Sequence, residues 1–369
     1  MAKKVKYWNP TKILSYNCYY NLIFGERSNG KTYGVLKLGL EEYMKDGSQV
    51  AIIRRWDEDF KGKRGAQMYS NLIKSGEITR VTNGKWTTVY SYSGRWYLAK
   101  VDPKNEDKLI IDKKPCAFGF ALTAQEHDKS TGYPDVKTVF FDEFITRESY
   151  LPNEFVMFMN VLSTIIRDRD DVKIFMCGNT VNKFCPYFNE MGLTNVKYQK
   201  KNTIDVYQYG ESKLRVAVEY SDGITKEGKK SDFYFAFNNP KLKMITQGEW
   251  EIAIYPHCPI KYLPKDVKFR YYIEFDKELL ECEIVVMQDR TFTFIHRKTT
   301  PIEYPDTDLV FSQGFDSRPN YRRKLNKPHD DLGKKLISYF QKEKVYYQDN
   351  EVGEIVRNYL LWCTSDKIK

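Results

Sequence analysis

The run Gly25-Glu26-Arg27-Ser28-Asn29-Gly30-Lys31-Thr32 has the spacing G-x-x-x-x-G-K-T, and each residue type in it has a task in holding a phosphate chain. The glycines let the backbone curl so that its N–H groups converge on an anion. Lys31 brings a positive charge to the β- and γ-oxygens, and Thr32 offers a hydroxyl to Mg²⁺. A helix starting at this point adds its positive end. Further along, Val139-Phe140-Phe141-Asp142-Glu143 ends an apolar run in two acids. Asp142 is suited to the metal that Thr32 also holds, and Glu143 to orienting the attacking water or taking its proton. The two motifs together imply hydrolysis of ATP with Mg²⁺. Small GTPases generally assign the water to a glutamine elsewhere.

Other polar residues leave more than one reading open. Asn179 follows an apolar run, where its amide either senses the γ-phosphate or simply forms a turn after Gly178. Ile165-Ile166-Arg167-Asp168-Arg169-Asp170 closes a helical pattern. An arginine there either reaches a neighbouring subunit's nucleotide or is a solvated helix end. Arg27 and Arg54 are further cations near the phosphates, for binding nucleotide or for holding Glu143 in an inactive pose.

These residues need a scaffold of strands and helices. Tyr19 to Phe24 reads as a buried strand feeding the loop, and Tyr33 to Met44 as a helix with one apolar side. Val50 to Ile53, Cys116 to Leu122, Val136 to Phe141 and Val172 to Cys177 read as further buried strands, with a helix over Asn153 to Arg167. Short apolar strands alternating with helices predict an α/β domain with a mostly parallel sheet. Residues Ile78 to Val101 alternate, and Asn83-Gly84 and Ser93-Gly94 predict hairpin turns within an antiparallel meander. Residues 201–246 are polar and read as a linker or lid. Beyond them, Trp250 to Tyr255, Val267 to Phe275, Glu283 to Met287 and Thr291 to His296 read as strands, with closing helices at Asp331 to Lys342 and Val352 to Trp362.

The chain has 369 residues, 41% of them hydrophobic and 29% charged, which suits two globular domains and excludes a disordered chain. No apolar run is long enough to span a bilayer, and the basic start lacks the apolar stretch of a signal peptide, so the expected location is the cytoplasm, with no membrane partner. Seven cysteines without a C-x-x-C pair imply reduced thiols rather than a disulfide framework. A net charge of +10, with clusters at Lys61-Gly62-Lys63-Arg64, Lys197 to Lys201, Lys226 to Lys230 and Tyr321-Arg322-Arg323-Lys324, suits a polyanion partner.

From Tyr7-Trp8-Asn9-Pro10 through the phosphate loop, Val50 to Arg55, Tyr133-Pro134 to Phe144-Ile145, Leu151-Pro152-Asn153-Glu154, Arg167-Asp168-Arg169 and Asn179 to Phe188, the chain resembles the phi-29-type phage DNA-packaging ATPases. The resemblance implies a RecA-like ASCE P-loop ATPase domain at 1–200, a linker or lid at 201–246, and a smaller α+β RNase H-like domain at 247–369. It also implies a homopentameric ring docked on the portal of a procapsid in the host cytoplasm, pumping double-stranded DNA, with prohead RNA as a further partner. By position, Lys31 and Thr32 would serve phosphate and Mg²⁺, Asp142 the metal, Glu143 the water and Arg167 a neighbour's nucleotide, while Lys129, matching a lysine that also faces the neighbouring subunit, would join the nucleotide contacts. Asp57 stands where the family's type member has a lysine, so DNA contact shifts to Lys61, Lys63 or Arg64.

Glu274, Asp276 and Asp289 are the best nuclease candidates in the C-terminal domain, since such cleavage needs several carboxylates around two metal ions. Glu274 and Asp276 are expected on one strand face, but a third partner for them at a recognisable spacing is not evident, so the expected domain is non-catalytic, its basic loops, including Arg322, Arg323 and Lys324, binding the DNA backbone or the RNA. A nuclease-active large terminase subunit and a non-packaging ASCE helicase or translocase are the rival readings.

Overall fold

The computed structural model describes residues 7–127, 132–221 and 250–365. The chain divides into two compact units, Met1–Arg147 with Asn153–Trp250, and Glu148–Pro152 with Glu251–Lys369.

The first unit is α/β. Its strands are β1 Tyr20–Gly25, β2 Gln49–Arg54, β3 Thr88–Tyr92, β4 Arg95–Asp102, β5 Asn105–Ile111, β6 Ala117–Ala121, β7 Val136–Asp142, β8 Lys173–Cys177, β9 Thr203–Gln208 and β10 Arg215–Ser221. They form one sheet in the order β3-β4-β6-β2-β7-β8-β1-β10-β9, with β5 beside β4. From β6 to β10 all neighbours are parallel. These central strands are continuous apolar runs because both of their faces are covered. Strand β8 lies between the strand that feeds the phosphate loop and the strand that ends in Asp142, as an ASCE ATPase requires. The helix Lys31–Asp46 buries Val35, Leu36 and Leu40 against the sheet, and the helix Glu154–Ile166 buries Phe158, Val161, Leu162 and Ile165.

Three local expectations are corrected. Residues Glu77–Val81 are helical, so Asn83-Gly84 leaves a helix and joins no hairpin, whereas Ser93-Gly94 does turn β3 into β4. Ile78 is fully buried, and that tertiary packing outweighs the alternation read from the sequence. The segment read as linker from 201 begins instead with β9 and β10, which extend the main sheet beyond β1. Its apolar half-pattern, Val216, Ala217 and Val218, is buried there; residues 222–249 lie outside the described part. Trp250 to Tyr255 has no strand pairing.

The second unit is α+β, with β11 Val267–Phe275, β12 Glu278–Val286, β13 Thr291–Arg297, β14 Val310–Ser312, β15 Tyr321–Arg322 and β16 Val345–Tyr347. Their order is β15-β14-β11-β12-β13-β16. β11, β12 and β13 form an antiparallel meander, and β14 and β15 continue it in parallel. The first five strands thus stand in the order of an RNase H-like sheet, and β16 adds a sixth. Helices Asp331–Gln341 and Asn350–Ser365 close the chain. Asp330 caps the first by accepting from the Gly333 N–H at 2.7 Å.

Candidate nucleotide-binding site

The parallel registers bring the motifs to one edge of the sheet. Ile23 pairs with Cys177, Cys177 with Asp142, and Ile53 with Phe141. The carboxyl ends of β1, β8, β7 and β2 therefore lie side by side, where open α/β sheets bind their ligands.

Gly25 ends β1 at φ 148°, and a Cβ there would stand 2.5 Å from the Ser221 carbonyl and hydroxyl oxygens. Gly30, at φ 97°, precedes the first turn of the helix Lys31–Asp46. Only glycine fits both positions at little cost. Asn29 is buried and its amide donates to Ser221 Oγ at 2.9 Å, which ties the loop to β10. Lys31 Nζ donates to the Glu26 carbonyl at 2.7 Å, Asn29 Oδ1 at 3.1 Å and Asn179 Oδ1 at 3.4 Å. The loop thus wraps its own ammonium, and burial lowers that group to about 8.

Thr32 Oγ1 donates to Asp142 Oδ1 at 3.0 Å. A hydroxyl and a carboxylate so close are hard oxygen donors of the kind Mg²⁺ takes, with water and phosphate completing its shell. The residues present therefore fit the ion. Asp142 is buried, and its other oxygen pairs with the Arg54 guanidinium, which also lies 3.5 Å from Glu143 Oε2. Glu143 holds φ 62° with an exposed side chain, an uncommon backbone region for a residue with a Cβ.

A cavity of about 700 Å³ opens over this edge, lined by Arg27, Ser28, Asn29, Gly30, Lys31, Thr32, Asp142, Glu143 and Asn179, with Tyr7, Tyr33, Asn71 and Ser75 at its wall. That volume is in the range of small-ligand sites. Most residues expected to meet nucleotide or metal converge here. Lys129 lies outside the described residues. Arg167 does not line this cavity. It caps the C-terminal end of Glu154–Ile166, exposed, at φ 51° and ψ −125°, about 20 Å from the helix start at 1.5 Å per residue. Its neighbour Arg169 is committed elsewhere, donating to the carbonyls of Tyr133, Pro134, Val136 and Ile165 at 2.8–3.1 Å.

Sequence reading missed Arg55, Glu154 and Tyr187. The Arg55 guanidinium donates to the Glu143 and Phe144 carbonyls and to Glu154, whose Oε1 accepts from the Tyr187 hydroxyl at 2.9 Å. The available signal was the cation pair Arg54-Arg55 after a buried strand that neighbours β7.

Lys61, Lys63 and Arg64 are exposed and lie away from the cavity. Lys61 pairs with Asp57, and Arg64 stands 3.9 Å from Asp59. In the second unit Arg322 pairs with Asp330 at 2.7 Å, while Arg323 and Lys324 lie over the Trp362 ring. The cluster Lys226 to Lys230 lies outside the described residues.

The carboxylates considered for nuclease chemistry do not converge. Glu274 is near the end of β11 and Asp276 in the turn after it, whereas Asp289 follows β12 at the opposite end of the sheet. Glu281, Glu283 and His296 do come within 4.8 Å of one another. Arg270 lies 3.0 and 3.1 Å from the two carboxylates, and Lys298 lies 3.3 Å from Glu281, so cations of the chain already neutralise this group. Among the described residues no helix is long and apolar enough to cross a membrane.

Residues 1–361 match the family of Podovirus DNA encapsidation proteins (Gp16). The chain belongs to that family. Relatives of the encapsidation family include a DNA packaging protein of Bacillus phage phi29, 27% identical over 188 residues, half of each chain. Another is a DNA packaging protein of Bacillus phage B103, 30% identical over 189 residues, 49% of this chain and 50% of the relative. The chain thus spans about half the length of the curated relatives it matches. Two solved structures share the encapsidation fold across nearly the whole chain. The phi-28 gp11 DNA packaging motor has a TM-score of 0.54 at 20% identity, covering 98% of this chain and 99% of that one. The bacteriophage phi-29 viral genome packaging motor assembly also has a TM-score of 0.54 at 20% identity, with coverages of 95% and 96%.

Proposed function

We propose that this chain is an ATP-driven motor that translocates double-stranded DNA into a viral procapsid. It works as a ring of identical subunits, a pentamer by family resemblance, hydrolysing ATP at subunit interfaces. Its partners are the procapsid portal, the DNA and prohead RNA, and it acts in the host cytoplasm. The observation that carries the reading is the meeting of Thr32, Asp142 and Glu143 at one cavity mouth in a chain of the encapsidation family.

In this reading the loop Gly25 to Thr32 surrounds the phosphates, and Lys31 neutralises their β- and γ-oxygens. Thr32 and Asp142 would hold Mg²⁺, which supplies charge neutralisation on the phosphates when bound. Glu143 orients the attacking water and accepts its proton, and Asn179 contacts the γ-phosphate from beside Lys31. Arg167 is exposed and does not line its own cavity, which supports a role at the neighbour's phosphates, where it stabilises transition-state charge. Lys129 contacts nucleotide across the same interface. Lys61, Lys63 and Arg64 grip DNA through phosphates, because a motor must pass any sequence. The second unit binds nucleic acid without cutting it, a reading supported by the separation of Glu274 from Asp289.

Purified procapsids supplied with this protein, DNA and ATP should protect the DNA from added nuclease, and Glu143→Gln should abolish protection. Hydrolysis without protection would return the chain to the non-packaging translocases. Metal-dependent cutting of plasmid DNA that is lost on Glu274→Ala would restore the nuclease reading.

A further inference from the structure

We propose that Arg55, clamped by Glu154, is a positioning residue for Glu143, holding the backbone from which the water-orienting carboxylate projects. The inference rests on the role assigned to Glu143 above and adds what that role requires.

Glu143 sits at φ 62° immediately after β7, a backbone state that persists only where its surroundings impose it. Arg55 supplies the constraint. Its guanidinium donates to the two consecutive carbonyls of Glu143 and Phe144, one from each terminal nitrogen. Its Nε donates to Glu154 Oε2 at 3.0 Å, and a terminal nitrogen lies 2.9 Å from Glu154 Oε1. Tyr187 then fixes Glu154 through its hydroxyl. Arg55, Glu154 and Tyr187 are 8%, 2% and 0% exposed. The backbone of Arg55 is itself anchored, since its carbonyl accepts from the Thr123 N–H and hydroxyl.

The two successive arginines divide the work. Arg54 reaches the carboxylates of Asp142 and Glu143 from the cavity side. Arg55 reaches the peptide behind them and does not line the cavity. A planar fork of donors matches paired acceptors in a way that a lysine ammonium cannot.

The test is steady-state ATP turnover of the full chain bearing Arg55→Lys, Glu154→Gln or Tyr187→Phe, each alone and combined with Glu143→Gln, whose residual rate is read in single turnover. Arg55→Lys and Glu154→Gln should lower kcat about 10- to 100-fold, as small misplacements of reacting groups do, with KM for ATP changed less than about threefold. Tyr187→Phe removes one hydroxyl and should lower kcat in the same sense by a smaller factor. None should slow the Glu143→Gln chain further, because each acts through Glu143. Losses that multiply with that of Glu143→Gln, or a KM that rises in step with a fall in kcat, overturn the proposal. Should Arg55→Lys fail to fold, an unchanged kcat in Tyr187→Phe and Glu154→Gln overturns it equally. Glu143→Gln alone separates the two levels: if it is inactive while Arg55→Lys is fully active, only the positioning inference fails, and if it turns over normally both fail.

Discussion

Thr32 Oγ1 lies 3.0 Å from Asp142 Oδ1, although 110 positions separate them in the chain. The pair forms because β1 and β7 flank β8 in parallel register, Ile23 to Cys177 and Cys177 to Asp142. A hydroxyl at a helix start and a carboxylate at a strand end are thereby brought together as one pair of hard oxygen donors.

Glu143→Gln should retain nucleotide binding and lose turnover by about 10²- to 10⁴-fold, the usual contribution of a positioned acid–base group. Binding of a fluorescent ATP analogue and phosphate release measure the two separately. Substantial residual hydrolysis removes Glu143 from the water.

Lys31 should make nucleotide affinity depend on pH. Burial lowers its ammonium from 10.5 to about 8, and the phosphate needs the charged form. Affinity should be full below pH 8 and fall by up to about tenfold per pH unit above it. Stability of the free chain moves the other way. Its folded state holds this proton less tightly than the unfolded state, so the Lys31 penalty present below pH 8 is relieved as pH rises toward 10.5. Titrating affinity from about pH 7 to about pH 9.5, a range that brackets the shifted ammonium, checks the sign, and Lys31→Arg should flatten the curve.

Arg54 should compete with a metal ion for Asp142, since the guanidinium already pairs with that carboxylate. Arg54→Gln should lower the Mg²⁺ concentration needed for half-maximal nucleotide binding. An unchanged or higher requirement would show that the ion pair does not oppose the metal.

Arg167 and Arg169 should separate cleanly. Arg169→Ala strips donors from at least four carbonyls and should cost about 3 kcal/mol of stability. Arg167→Ala, at an exposed position after the helix Glu154–Ile166, should abolish turnover. Mixing it with a loop-inactive Lys31→Ala chain should restore activity if Arg167 works in the neighbour's site; no rescue counts against that.

Replacing Lys61, Lys63 and Arg64 by alanine should reduce the salt slope of DNA binding by about 0.9 for each phosphate no longer neutralised. Asp57 and Asp59 already neutralise part of this charge. A slope equal to that of the unaltered chain would place the DNA elsewhere.

Much of the site was legible because its chemistry is local. Gly25 to Thr32 is eight consecutive residues, and an apolar strand ending in Asp142-Glu143 announces itself by composition. The Arg55–Glu154 pair was not legible, being 99 positions apart and set by packing rather than spacing. Residues 203–221 were misread as linker because their strands are partly polar and join the sheet only through β1. A spacing rule likewise could not tell Arg167 from Arg169, two residues apart on one turn.

By itself the sequence determined which groups were present and which short segments would form them: a loop for phosphate, a helix behind it, and buried strands ending in acids. Such preferences act over a few residues, through backbone sterics and the burial of apolar runs. The tertiary structure alone decided which strand ends lie together, which arginine is consumed by carbonyls, and what holds Glu143 in its left-handed backbone. Those outcomes depend on strand order and register, which arise from the packing of the whole sheet.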